Sequence, residues 1–223
     1  MKVALYVVDL ETTGLDYERH RIIEVALYEL DENFGVKSMF YTRVKPDGGE
    51  VDEEALKVNG FTLADLDNGM PEDMVVRELA SRLLPDATII AHHAPFDISF
   101  LQALFRRHGY PEWTGDFICT RSSFAVFFPN KPRSLHNVAE HFGVEIHRRH
   151  SAFGDARAVI AVYKHLAELA RERGVDLTNL LVRDPDRQLQ YVPAKARFAD
   201  EERRKALKEI VRVSEELGLY DED

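Results

Sequence analysis

The sequence predicts an α/β fold built on a mixed sheet with helices on both faces. Three observations carry this expectation. An unbroken apolar run, Val3 to Val8, opens the chain and reads as a central strand buried on both sides. Two more strand-like runs follow before any long helix, and from Pro71 onward amphipathic helices alternate with short apolar runs. Strands first and helices interleaved later is the order of a sheet covered on both faces.

The elements follow in order. Ile22–Leu30 and Val36–Val44 are the second and third strands, and Asp31-Glu32-Asn33-Phe34-Gly35 between them suits a hairpin connection. Pro46-Asp47-Gly48-Gly49 is a loop, and Asp52–Val58 a short helix closed by Asn59-Gly60. Pro71 to Leu84 is an amphipathic helix, with Pro71 suited to its first position and Val75, Val76, Leu79, Ala80 and Leu83 forming one stripe. Ala87–Ala91 is a short buried strand. A helix over about 95–108 buries Phe96, Phe100, Leu101, Leu104 and Phe105 and stops at Gly109. Phe117–Thr120 reads as a strand, and Ser122–Phe128 and Ser134–Phe142 as helical segments. Phe153–Arg173 is a long helix with Ala156, Val159, Ile160, Tyr163, Leu166, Ala167 and Ala170 inward, ended by Gly174.

Residues 1–174 form the expected main domain, and 175–223 a linker and C-terminal helical tail. Arg183-Asp184-Pro185-Asp186-Arg187 has linker composition, and Asp200–Leu217 has the pattern of a charged helix with a narrow apolar face. That helix is expected to dock on the main body or on a partner, for instance across a homodimer.

Bulk properties narrow the class. At 223 residues the chain is long enough for one good core. Nothing approaches the roughly eighteen apolar residues of a membrane span, and Asp9 breaks the N-terminal run too early for a secretory signal. The single cysteine, Cys119, excludes an internal disulfide framework and a multi-cysteine zinc site. A cytoplasmic location is the expectation. The net charge of −10 opposes broad electrostatic binding of duplex nucleic acid. It leaves room for a protein that grips a strand end through bound cations.

The chemistry concentrates in three segments. In Asp9-Leu10-Glu11-Thr12-Thr13-Gly14 two carboxylates stand at i and i+2 where a buried strand ends. They share one face, at the edge of a core where an acid is costly unless paired or bound to a cation. Asp97 lies in the first turn of a helix after a buried strand, in Ala91-His92-His93-Ala94-Pro95-Phe96-Asp97. His150 precedes Asp155 by five residues at the start of the long helix. Each acid alone is readable as a helix-start or turn group, and His150 as a surface loop histidine. Together they are four acids and a histidine at strand ends and helix starts, where open α/β folds collect their sites.

These three segments resemble, in order and spacing, the motifs of the DEDDh 3′→5′ exonucleases. The resemblance covers roughly residues 1–172, and residues after 172 lie outside it. It implies a ribonuclease H-like fold and hydrolysis of phosphodiester bonds with two divalent cations, Mg²⁺ or Mn²⁺. By similarity Asp9 would bridge both metals, Glu11 and Asp155 would complete the site of the nucleophilic water, and Asp97 would support the second metal. His150 would be the general base, its ordinary pKa of about 6.5 suiting proton transfer near neutrality. Thr12, Thr13 and Leu15 would approach the terminal nucleotide, with His92, His93 and Phe96 shaping the same pocket. Leu15 and Phe96 are equally readable as core. One departure is His93, where many members carry Asn.

The implied function is a metal-dependent exonuclease releasing nucleoside 5′-monophosphates from single-stranded 3′ ends of DNA, in proofreading or repair. Two alternatives stand beside it: an RNA exonuclease of the ribonuclease T or oligoribonuclease type, and a non-catalytic module that binds a partner. A DNA polymerase is a candidate partner through the tail, where Gln188-Leu189-Gln190-Tyr191-Val192 has a faint likeness to sliding-clamp peptides.

Overall fold

The computed structural model describes residues 3–147, 151–184 and 188–202. In chain order the elements are β1 (Leu5–Thr12), β2 (Ile22–Leu30), β3 (Val36–Lys45), α1 (Glu53–Asn59), α2 (Leu63–Leu66), β4 (Met70–Pro71), α3 (Glu72–Arg82), β5 (Thr88–Ala91), α4 (Ala94–Arg107), β6 (Asp116–Cys119), α5 (Thr120–Phe127), α6 (Leu135–His141), α7 (Ala152–Arg173), β7 (Leu180–Leu181) and β8 (Arg197–Phe198). The expected mixed sheet with flanking helices is what the chain forms. Its strand order is β4-β3-β2-β1-β5-β6. β1, β2 and β3 form an antiparallel meander, and β5 and β6 run parallel to β1 on its other side.

The hairpin between β2 and β3 is organised by Asp31, whose Oδ1 accepts from the backbone N–H groups of Asn33 and Gly35, each at 2.8 Å. Phe34 adopts φ +58° there, and its ring packs edge-on against Tyr163 of α7 at 5.1 Å. The turn thereby fixes both the strand register and one contact of the long helix.

Side-chain alternation along β1 divides the core into two layers. Tyr6, Val8 and Leu10 face the layer containing Val75 and Leu79 of α3 and Phe100 and Leu104 of α4. Val7 faces the opposite layer, with Ala26, Tyr28, Ile90 and the α7 residues Ala156, Val159, Ile160, Tyr163 and Leu166. Period-2 alternation sends Asp9 and Glu11 to the same side as Val7, the side α7 covers.

Several boundaries differ from the sequence reading. β1 runs on to Thr12, because its pairing with β2 continues through Asp9↔Ala26 and Glu11↔Glu24. The two acids are thus inside a strand and not just past its end. Pro71 is the N-cap residue of α3, one position before the helix. The elements that periodicity did not announce are all short: α2, held by a capping box between Thr62 and Asp65, and the two-residue strands β4, β7 and β8.

α7 ends at Gly174, which takes φ +63°, a left-handed conformation that side chains with a Cβ rarely adopt. The chain then lies against the body. Leu177, Leu180 and Leu181 are buried, the Asn179 amide bridges the Phe117 N–H and the Asp116 carboxylate, and Arg121 pairs with Asp184. Arg183 ion-pairs with Asp200 and Glu201, each at 2.6 Å. Residues 199–202 are helical; the remainder of the expected tail helix, and 185–187, lie outside the described residues.

Candidate active site

β1 outruns its parallel neighbour. The last registered pair between them is Val7↔Ile90, and β5 stops at Ala91 while β1 continues to Thr12. Asp9 and Glu11 therefore project beyond the end of β5, where α4 begins. Asp97, in the first turn of α4, is buried at this edge. From the other side α7 brings its own first turn, with Asp155. One ligand oxygen each of Asp9, Glu11 and Asp155 lies within 4.8 Å of the other two.

Three carboxylates this close, half-buried, repel one another. Burial, followed by the Asp97, Glu11, Asp155 and Glu24 carboxylates, raises the Asp9 carboxyl well above its ordinary value. Burial, followed by Asp155, Glu24 and Asp97, pushes Glu11 up to about 8. Among the described residues, no cation is a cause of either shift. An all-oxygen donor set that disfavours its own ionisation suits a hard divalent cation, which relieves the repulsion. Asp97 is outside the three-oxygen group but is the strongest charged influence on Asp9, so it stands beside the cluster.

Sequence reasoning missed Glu24. It sits mid-strand in β2, is 2 % exposed and lies opposite Glu11 in the sheet register. Its carboxylate accepts from the Ala152 N–H at 2.6 Å and from the Tyr41 hydroxyl. A carboxylate from β2 thus caps the first turn of α7, where the N-cap Ser151 makes no side-chain cap bond. This contact fixes the helix start that carries Asp155. The available signal was an acid inside an otherwise apolar run, Ile22-Ile23-Glu24-Val25-Ala26.

The residues expected near the nucleotide divide into two groups. Leu15 is 62 % exposed and lines a cleft with His93 and Phe96. Phe96 also packs on Phe100 at 4.9 Å, so it serves core and cleft together. Thr12, Thr13 and His92 are not among the residues lining that cleft. The Thr12 hydroxyl donates to the Gly14 carbonyl at 2.6 Å, and the Thr13 hydroxyl donates to the Glu50 carbonyl at 2.6 Å while accepting from the Arg21 N–H. His92 donates from Nε2 to the Arg133 carbonyl at 2.8 Å, which leaves Nδ1 to accept from the Thr120 hydroxyl at 3.1 Å. These three side chains brace the loops that shape the site.

Gly14 is required by close approach. A Cβ there would meet the His20 ring at 2.4 Å, and that ring is held by the Asp16 backbone through Nδ1 at 3.1 Å. His150, with its neighbours Arg148 and Arg149, lies outside the described residues. Cys119 is buried, with its thiol pushed up chiefly by burial, as expected of a packing residue.

The sequence pattern of the exonuclease family matches residues 6–163, a span that takes in Asp9, Glu11, Asp97 and Asp155. The chain belongs to the exonuclease family. Membership makes this exonuclease domain a hydrolase, and the family is dependent on divalent metal. Among relatives, the DNA polymerase III subunit epsilon of Treponema pallidum is 30% identical over 176 residues, 77% of this chain and 80% of that protein. The PolC-type DNA polymerase III of Thermotoga maritima is 28% identical over 169 residues, 76% of this chain. The match spans only 12% of that polymerase. In fold, the exonuclease domain resembles E. coli exonuclease I in complex with a dT13 oligonucleotide, with TM-score 0.71 and 19% identity over 78% of this chain and 43% of that one. Exonuclease I from Methylocaldum szegediense gives TM-score 0.66 at 20% identity, over 77% of this chain and 41% of that one. Among the described residues, no helix is long and apolar enough to cross a membrane.

Proposed function

We propose that this exonuclease removes nucleotides in the 3′→5′ direction from single-stranded ends of DNA, releasing nucleoside 5′-monophosphates. The observation that carries the reading is the convergence of Asp9, Glu11 and Asp155 from β1 and α7 beside Asp97. Asp9, Glu11 and Asp155 would hold the metal, with Asp97 supporting it, as two divalent cations of the Mg²⁺ or Mn²⁺ kind. When bound, such cations supply an activated water and stabilise negative charge on the phosphate in flight. The chain supplies the rest. The β1 and α7 carboxylates set where the scissile phosphate sits, and His150, just ahead of α7, takes the proton from the attacking water.

DNA is favoured as substrate by the company the chain keeps: a relative is a subunit of DNA polymerase III, and a structural neighbour is in complex with a DNA oligonucleotide. The same relatives favour service to a polymerase in proofreading. The test is digestion of matched DNA and RNA oligonucleotides, labelled at either end, by the purified protein with Mg²⁺ or Mn²⁺ and with Asp9→Ala as control. Stepwise loss from the 3′ end of DNA, absent in the variant, is the expected result. Faster loss from RNA would move the assignment to an RNA exonuclease. No release from any strand would leave a partner-binding module.

A further inference from the structure

A cleft of about 380 Å³ opens between the loop after β1 and the helix start that carries Asp97. Leu15, His93 and Phe96 line it from the main body. Gln188, Gln190 and Tyr191 line it from the segment after α7. The second group lies beyond residue 163, where the family match ends, and in a stretch whose composition read as linker and tail.

That segment is seated on the body. Leu189 and Tyr191 are partly buried against the main core, and the Tyr191 ring packs edge-on against Tyr17 at 5.9 Å. Downstream, Lys195 pairs with Asp116 at 2.9 Å and Arg197 with Asp176 at 2.8 Å, while β8 pairs with β7. Burial alternates along the segment as in an extended strand: Leu189 and Tyr191 turn inward, and Gln188 and Gln190 are exposed.

The lining has a definite chemistry. Among the described residues it combines aliphatic and aromatic surface with two carboxamides, the Ser99 hydroxyl and the His93 ring, and none of these is Lys or Arg. Phosphate is poorly served by such a wall. A nucleobase is well served: its faces lie against Leu15, Phe96 and Tyr191, and its edge carries donors and acceptors that glutamine amides can match.

We infer that Gln188, Gln190 and Tyr191 form one wall of the pocket for the base of the 3′-terminal nucleotide, with Gln188 and Gln190 contacting its edge. The inference rests on the nuclease reading above and adds to it a determinant that lies outside the family region. Gln188 and Gln190 are exposed, so their replacement leaves the packing of Leu189 and Tyr191 in place.

The test uses the full chain carrying Gln188→Ala and Gln190→Ala together. Nucleotide release is measured on single-stranded DNA ending in each of the four bases, and on the same strand with an abasic 3′ nucleotide. KM on normal ends should rise about five- to ten-fold, the loss of one or two hydrogen bonds, with kcat little changed. KM on the abasic end should match wild type. Unchanged KM on all four bases overturns the inference, as does an equal rise on the abasic end, which would mark a structural effect. If the wild type releases nothing, the nuclease reading fails separately. Calorimetry with free deoxynucleoside 5′-monophosphates then decides the cleft: weaker binding by the double variant upholds the wall, and equal binding overturns it.

Discussion

The Glu24 carboxylate accepts a hydrogen bond from the Ala152 backbone N–H at 2.6 Å, joining the middle of β2 to the first residue of α7. Removing it leaves that N–H and the Tyr41 hydroxyl without their acceptor. Glu24→Ala is expected to cost about 2–4 kcal/mol, as for loss of a buried, charge-assisted pair of hydrogen bonds. Activity should fall at least about ten-fold in the folded fraction, because a shift near 1 Å in a catalytic group is that damaging. Tyr41→Phe should cost only about 1 kcal/mol. Urea titration with turnover on a labelled strand reads both quantities; wild-type values for Glu24→Ala would show that the cap positions nothing.

Stripped of divalent metal, the protein should become less stable as pH rises. The folded-state value of Glu11, about 8, lies above its ordinary 4.5, so folding favours the protonated form. That contribution is complete below the ordinary value and is lost as pH climbs through about 8. Asp9 shifts in the same direction. Melts in chelator should fall by about 5–10 °C between pH 5 and pH 9, and Mg²⁺ or Mn²⁺ should flatten the slope. A chelated melting curve that rises across this window contradicts the repulsive cluster.

Glu11→Gln separates stability from function. It removes one charge from the cluster, so in chelator at pH 8 it should stabilise the fold by about 1–2 kcal/mol. The same change should lower turnover at least about a hundred-fold through loss of a proposed metal ligand. A variant both less stable and fully active would refute the placement of Glu11.

His150→Ala should lower turnover by at least about a hundred-fold, within the range for a general base, with an unchanged melting temperature. Near-normal turnover would remove His150 from the mechanism and direct attention to other bases.

Gly14→Ala forces a Cβ into the His20 ring and should destabilise by about 1–3 kcal/mol, as overpacking does. His20→Ala in the same chain should recover most of that loss. Denaturation of the two single variants and the double variant measures the coupling; strict additivity would show that the ring is not the obstacle.

The parts of the fold legible in the sequence were those with enough residues to show a period. β2 begins and ends at the residues where its apolar run does, Ile22 and Leu30, and α7 differs from the expected helix, Phe153–Arg173, by a single residue at its start. β4, β7 and β8 are two residues long and have no period to read; they exist because neighbouring strands offer backbone partners. At the site, the i, i+2 spacing of Asp9 and Glu11 was legible because a strand has only two faces. Glu24 was not, since its role depends on a backbone N–H far along the chain. The hydroxyls of Thr12 and Thr13 and the ring of His92 were assigned to substrate from motif position, and their hydrogen bonds inside the protein are tertiary facts that motif position does not encode. Residues 188–191 fall in the expected linker and tail, but half their side chains pack on the body.

The three clustered carboxylates come from the two ends of the exonuclease region: two on its first strand and one on its last long helix. A chain still emerging from the ribosome has Asp9 and Glu11 early and Asp155 late. Until α7 is synthesised and docked on β1 and β2, the set of oxygens that would hold a cation is incomplete. The order of the elements along the chain therefore makes competence to cut a property of the finished domain, and the growing polypeptide passes through synthesis without it.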